Sequence, residues 1–480
     1  MNSKYYITTA IDYVNARPHL GHALEKIQAD VLARWHRAKG DRIFFLSGTD
    51  ENSLKNVRAA HAARLPIEDF VDRNAEIFRA LGPLLDLSYD DFIRTTQVRH
   101  VNGAKKLWQD CQKDIYKKAY RGLYCVGCEE FYKEKDLING LCPEHKAKPE
   151  LIEEENYFFR LSVYQDRIRE AIENDIVKII PEGRKNEILN FVKSGLEDIC
   201  VSRSKERAKG WGIEVPGDKN QVMWVWFDAL SNYISALGYG SPENEPFQEW
   251  WQNAQKVHVV GKGIIRFHAV HWIGLLLSAG LPLPNQIFVH GYVTSSGQKM
   301  SKSLGNVVDP FVLAAKYGTD PVRYFLLREL PSTEDGDFTI ARFEERYNSD
   351  LAKGLGNLVA RVITIAKKIG ATKIPETVST TELENEIDIA KKQRDAELEQ
   401  YKFNDALAAI WKLVNYCDRY IEKTQPWKTN DSAAVGDLLF ALSVIAELVE
   451  PFIPETSQKI KLLLSGQEVG ILFPRLDQVK

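Results

Sequence analysis

The chain has 480 residues, 44% hydrophobic and 27% charged, the composition of a soluble globular protein with room for two to four domains. Its 63 Lys and Arg against 66 Asp and Glu leave a formal charge of −3, which excludes binding to a polyanion through bulk positive charge, so any RNA contact must rest on local basic patches. There is no run of ~18 apolar residues for a membrane span, Met1 to Tyr5 lacks the apolar core of a signal peptide, and six Cys in a chain of this length suit reduced thiols plus a metal site in the cytoplasm.

Tyr5-Tyr6-Ile7-Thr8-Thr9-Ala10 is apolar and β-branched, the pattern of a buried strand. After the turn Asn15-Ala16-Arg17-Pro18, the residues Leu24, Ile27, Val31 and Trp35 recur at helical spacing and Gly40 closes the helix. Arg42 to Leu46 reads as a second strand. Strand, helix, strand predicts a βαβ unit and hence a parallel sheet. From about Tyr116 to Trp224 the sequence turns polar and carries a Cys cluster, as an insertion between two halves of a sheet domain would. The strand pattern returns at Val257 to Val260 and again at Ile287 to Val289, with a helix between them. From Ile340 onward the pattern is helical, interrupted by a polar loop at 370–381. The expected divisions are a first half-sheet at 1–115, an insertion at 116–224, a second half-sheet at 225–295, a linker at 296–340 and a helical domain at 341–480.

His19-Leu20-Gly21-His22 falls between the first strand and the first helix, where a helix N-terminus is suited to phosphate. Gly21 allows a close backbone approach. By itself the pair of histidines is also compatible with a capping cluster or half of a metal site. Lys299-Met300-Ser301-Lys302-Ser303 follows a strand and the turn Ser295-Ser296-Gly297. Its compact charges and hydroxyls can clamp a transferring triphosphate, although alone it would read as a basic surface loop. Cys125-x-x-Cys128, then thirteen residues, then Cys142-x-x-His145 has the spacing of a closed, tetrahedral, structural zinc site. Cys111, Cys200 and Cys417 fall outside it and read as buried reduced thiols.

Taken together, HLGH and KMSKS resemble the paired signatures of class I aminoacyl-tRNA synthetases. Gly48-Thr49-Asp50-Glu51, Val225 to Tyr233 and Gly261 to His268 are similar to stretches of the methionyl-tRNA synthetase family, in its short bacterial and organellar form. The resemblance runs from Tyr5 to Pro474. It implies a Rossmann-like α/β catalytic domain split by a zinc-bearing insertion and followed by an all-α anticodon-binding domain. It implies activation of L-methionine with ATP and Mg²⁺, then transfer to the 3′-end of the initiator and elongator methionine tRNAs. His19, His22, Lys299 and Lys302 would be catalytic. ATP would also meet Gly21, Glu25, Gly261, Met300, Ser301 and Ser303. Methionine would lie among Ile11, Tyr13, Asp50, Trp226, Ala229, Tyr233, Ile264 and His268, with Phe267 nearby. There Asp50 would take the ammonium and Tyr233, held by His268, would offer its hydroxyl to the sulfur; aromatic surfaces suit a polarizable thioether. Trp224 and Phe227 read as core.

Asn357, Arg361 and Trp427 match the family's anticodon-reading positions, and Asn357 and Arg361 share a helical face. A single-stranded loop is read by stacking and by bonds to base edges; the alternative is a helix-packing pair and a core Trp. Three departures from the family pattern stand out: Asn52-Ser53 after Glu51, Gly263 after Lys262, and Ala10-Ile11-Asp12-Tyr13 after the first strand. Gly263 removes an expected ribose contact, which Glu25 is placed to supply. The insertion of about 110 residues leaves little room for the large editing domain of the leucine, isoleucine and valine relatives. The chain is expected to be a monomer that binds no membrane.

Overall fold

The computed structural model describes residues 3–127, 130–143, 146–300 and 306–476. Contacts divide the chain into two units: Met1–Pro18, Lys39–Gly82 and Tyr89–Val289 form the first, and His19–Ala38, Pro83–Ser88 and His290–Lys480 the second.

The first unit is built on a sheet of β1 (Lys4–Thr9), β2 (Arg42–Asp50), β3 (Asp91–Arg94), β4 (Lys178–Ile180), β5 (Gln255–Gly261) and β6 (Gln286–His290). Their order is β3-β2-β1-β5-β6-β4, and a two-residue strand, Asp12–Tyr13, also pairs with β2. The β1–β2, β1–β5, β2–β3 and β4–β6 ladders are parallel. Such strands are buried on both faces, which is why Ile7, Phe45, Leu46, Val259 and Ile287 are almost wholly enclosed.

The polar stretch after Tyr116 proves to be a β-arm. Ile115–Cys125 and Glu150–Phe159 run antiparallel over their full length, flanked by Glu130–Tyr132 and Ile199–Cys200. Arg121 lies opposite Glu153, and Lys117 reaches Glu155 at 3.4 Å. Cross-strand charge pairs take the place of the apolar alternation that would announce strands. The same region also supplies β4 to the edge of the main sheet. Three residues are too few for a period to be legible.

In the second unit, α1 (Leu20–Ala38) packs on the helix Thr319–Arg328 and is joined by α2 (Asn357–Ile369), α3 (Thr381–Glu399), α4 (Phe403–Thr424), α5 (Ser432–Val449) and α6 (Pro454–Leu464). Gly370, at φ +74°, ends α2, and Asp431 caps α5 through the amides of Ala433 and Ala434. By length and composition α5 could cross a membrane. Here Leu438, Leu442 and Ile445 are buried, and the helix packs on α2, α3, α4 and α6.

One buried ion pair organises this unit. The Arg323 guanidinium meets Asp30 of α1 at 2.7 Å, with neither side chain exposed. Its other donors reach the carbonyls of Phe452, Pro451 and Leu85. Asp30 also accepts from Ser88 and Arg34. Burial raises its pKa, but Arg323, Arg34 and Ser88 outweigh this and hold the carboxyl below its ordinary range. We expect Arg323→Met, which strands Asp30 and three carbonyls, to cost about 3–5 kcal/mol. Chemical denaturation followed by a probe in the helical unit checks this; a loss under about 1 kcal/mol would contradict it.

Candidate active site

The turn entering α1 uses its own backbone to set two histidines. The His19 amide donates to His22 Nδ1 at 3.0 Å, and the Gly21 amide donates to His19 Nδ1 at 3.0 Å. A neutral ring whose Nδ1 accepts must carry its proton on Nε2. Both rings therefore present an Nε2–H donor, and they stack with centroids 3.9 Å apart. Burial, then the charges of Lys26 and His290, press the His22 pKa down to about 3. A Cβ on Gly21 would meet His19 Cε1 at 2.8 Å, so glycine is required beneath that ring.

One turn further along α1, Glu25 is buried, and its Oε2 lies 2.9 Å from His290 Nε2. The His290 Nδ1 faces the Gly291 carbonyl at 2.8 Å. Glu25 Oε1 is enclosed and has no hydrogen bond among the described residues. Val293–Ser295 and Gln298–Lys299 form a hairpin about Ser296 and Gly297, both at positive φ, as a two-residue hairpin turn prefers. Asp337 holds that turn, accepting from the Gly297 amide and the Thr294 hydroxyl at 2.7 Å each. Met300 follows directly; Ser301, Lys302 and Ser303 lie outside the described residues.

In the first unit, Ile11, Tyr13, Trp226, Tyr233, Ile264 and Phe267 belong to one apolar cluster. Ala229 and His268 are buried, on the same segments as Trp226 and Ile264. Trp226 stacks on Phe267 at 3.8 Å, 9° from parallel, and its Nε1–H finds no protein acceptor. Trp224 and Phe227 are core, as expected. The His268 Nδ1 faces the Ile264 carbonyl at 2.9 Å, and Nε2 faces the Tyr233 hydroxyl at 2.7 Å. A carbonyl only accepts, so Nδ1 is protonated, and in the neutral ring Nε2 accepts from Tyr233. The expected hold of His268 on Tyr233 is present, but it occupies the hydroxyl proton that was to reach the thioether. Tyr233 thus brings its ring and its oxygen lone pairs.

Asp50 ends β2, buried. Two residues earlier, a Cβ on Gly48 would lie 2.3 Å from the Ile93 carbonyl and 3.0 Å from Ile11. The Asn52-Ser53 departure has a local reason. Ser53 caps the helix Leu54–Ala63, and Asn52 donates to Asp228 at 2.8 Å. Gly261 ends β5, and Gly263 is exposed just beyond it.

In the second unit a cavity of about 380 Å³ is lined by Ala360, Arg361, Thr364, Ile365 and Trp427. The Arg361 guanidinium lies 5.9 Å from the Trp427 ring and 2.6 Å from Glu422. Trp427 is half-buried on the short helix Pro426–Thr429, unlike the enclosed Trp411, which argues against a core role. Asn357 starts α2 and does not line this cavity. Of the four candidate metal ligands, Cys125 and Cys142 are buried thiols; Cys128 and His145 lie outside the described residues. Among the described residues no cluster of three potential ligands occurs.

Comparison with known proteins adds the following. The family described as tRNA synthetases class I (M) matches residues 5–148 and 135–363, and the anticodon-binding domain of tRNA ligase matches residues 381–470. A methionine–tRNA ligase of Brucella suis is 41% identical over 478 residues, covering 96% of this chain and 92% of that protein. One from Caldanaerobacter subterraneus is 40% identical over 515 residues, covering 100% of this chain and 80% of that protein. The structure of Mycobacterium tuberculosis methionyl-tRNA synthetase in complex with methionyl-adenylate superposes with a TM-score of 0.91 at 38% identity, covering 97% of this chain and 94% of that one.

Two further rings share the enforced neutrality of His22. Burial, then the charges of His268 and Lys256, holds His258 well below its ordinary pKa; burial, then Arg266, brings His271 to about 3. Unfolded, each takes up a proton near pH ~6.5; folded, it does not until far lower. Their contribution is therefore complete above pH ~6.5 and is lost as pH falls below it, for His271 until about 3. Between about pH 7.5 and 5.5 we expect each of these two rings to cost about 1.4 kcal/mol of stability. Urea unfolding at the two pH values checks this; equal stability at both would show that the rings are charged in the fold.

Proposed function

The chain belongs to the class I tRNA synthetases of the methionine type, and on that premise we propose which of its residues carry each step of the reaction. The methionine carboxylate attacks the α-phosphorus of ATP, pyrophosphate leaves, and methionyl-adenylate remains. A hydroxyl at the tRNA 3′-end then attacks the methionyl carbonyl, and AMP leaves. No covalent enzyme intermediate is required; catalysis is positioning and charge stabilisation.

The observation that carries the assignment is the proton inventory at the start of α1. His19 and His22 each offer one Nε2–H on neutral rings. Fixed donors of that kind stabilise negative charge growing on phosphate oxygens without reorganising. Lys299 and Lys302 supply the positive charge that follows the leaving pyrophosphate, with Met300, Ser301 and Ser303 shaping that loop. Mg²⁺ arrives with ATP and neutralises its phosphates. Gly21 and Gly261 allow the nucleotide near the backbone, and Glu25 Oε1, enclosed and unpaired, is suited to accept from a ribose hydroxyl.

Asp50 takes the methionine ammonium. Ile11, Tyr13, Trp226, Ala229, Tyr233, Ile264 and His268 enclose the side chain, and an aromatic enclosure favours a thioether. Methionine-dependent ATP–pyrophosphate exchange, tested against each amino acid, examines the whole reading. Exchange with an amino acid other than methionine as the preferred substrate would refute the pocket.

Asn357, Arg361 and Trp427 read the anticodon, with a base stacked in the cavity beside Trp427. We place the reaction in the cytoplasm and expect a monomer. Trp427→Ala should leave pyrophosphate exchange intact. It should lower the specificity constant for tRNA charging by about one to two decades, the loss of one stacked base at ~1–3 kcal/mol. A variant that melts much earlier yet charges tRNA normally when folded would show a structural residue instead.

Zinc suits the insertion. Cys125 and Cys142 are enclosed, at 3% and 1% exposure. Cys142 lies in a tight turn where its amide donates to the Ala147 carbonyl at 2.9 Å and its carbonyl accepts from Lys146 at 2.8 Å. With Cys128 and His145 they would hold one Zn²⁺, whose part is to cross-link a small arm. Elemental analysis of chelator-free protein should find one zinc per chain, and Cys142→Ala should lose it while the helical unit keeps its stability. Absence of zinc from active protein would refute the site.

A further inference from the structure

We propose that His100 and Asp228 are positioning residues for methionine, which set the separation between the carboxylate that takes its ammonium and the aromatic wall that takes its thioether. The proposal rests on the assignment of Asp50, Trp226 and Tyr233 to the methionine pocket.

Asp228 and His100 are among the most enclosed polar residues of the chain, at 1% and 0% exposure. The Asp228 Oδ1 lies 2.6 Å from His100 Nε2, and its Oδ2 accepts from Asn52 Nδ2 at 2.8 Å. A carboxylate only accepts, so His100 carries its proton on Nε2, and in the neutral ring Nδ1 accepts from the Ser235 hydroxyl at 2.9 Å. The chain is thus Asn52, Asp228, His100, Ser235, with every polar atom of the carboxylate and imidazole engaged.

Its members fall at a telling place in the sequence. Asn52 is two residues after Asp50, Asp228 two after Trp226, and Ser235 two after Tyr233. Three pocket residues on separate segments are each anchored two residues downstream to one buried network. The helix Val98–Asp110 is also pressed against Ser235. A Cβ on Gly103, one turn after His100, would lie 2.4 Å from Ser235 Cβ. Only a glycine there lets His100 reach both partners. Apolar residues could fill this space at lower desolvation cost. Directional bonds instead fix relative positions to a few tenths of an ångström, which is what telling methionine from a side chain one methylene longer demands.

The test is steady-state pyrophosphate exchange with methionine and with ethionine, comparing Asp228→Asn, Ser235→Ala and Trp226→Ala with the parent. In Asp228→Asn the introduced NH₂ either faces the Asn52 amide donor or faces His100, which keeps a bond only by moving its proton to Nδ1 and donating it to Ser235, so the network is broken or its direction reversed. We expect Asp228→Asn to raise KM for methionine about tenfold, the loss of one charge-assisted bond. The methionine-to-ethionine ratio should narrow, while KM for ATP stays within about twofold. Ser235→Ala, the milder change, should move both methionine readouts in the same direction and decides the matter alone if Asp228→Asn does not fold. Unchanged KM and selectivity, or equal rises in KM for methionine and ATP, would overturn the proposal. If Trp226→Ala raises KM for methionine while the network variants do not, the positioning role fails and the pocket stands. If Trp226→Ala leaves it unchanged, the pocket assignment itself is wrong, and the proposal falls with it.

Discussion

The helix that begins with HLGH is held by an ion pair far from its own motif. Asp30 and Arg323 meet without solvent, and the guanidinium's other donors end on carbonyls of two further segments. A buried charge is tolerated only when paired and fully bonded, so α1, the Pro83–Ser88 segment and the turn after α5 keep one relative placement. That placement bears on the contact between Glu25 of α1 and His290, whereas the stacked histidines are set by the local backbone. α1 thereby belongs to the same unit as the helices that carry Asn357, Arg361 and Trp427.

Proton placement decides what these residues can do. His19, His22 and His268 each have one nitrogen engaged by the backbone, and the other takes the opposite role by necessity. His19 and His22 are each left with an Nε2–H donor, whereas His268 is an acceptor for Tyr233. The same residue type serves opposite purposes because the local carbonyl or amide chooses the tautomer.

Backbone irregularity supports the same end. Phe267–His271 and Tyr347–Gly356 are wider-wound helical segments, which rotate side chains relative to a regular α-helix and often mark functional positions. The first carries Phe267 and His268. The second runs directly into α2 with Asn357.

Much was legible in the chain itself. HLGH at a helix start and the helical period after Ile340 are short-range signals: their meaning lies in neighbouring residues, so α1, α2 and the 370–381 loop appear in the sequence nearly where they stand in the fold. Tertiary structure alone decided the rest. The Lys- and Glu-rich arm reads only as a polar insertion because its strands satisfy each other with cross-strand charges, and β4 is a strand only because β6 lies beside it. His100, Arg323 and Asp337 carry no motif. Their roles come from partners such as Asp228, Asp30 and the Gly297 amide, and a hydrogen bond across 40 or more residues leaves no local pattern, because its energy depends on where two distant groups meet and on the water that burial removes.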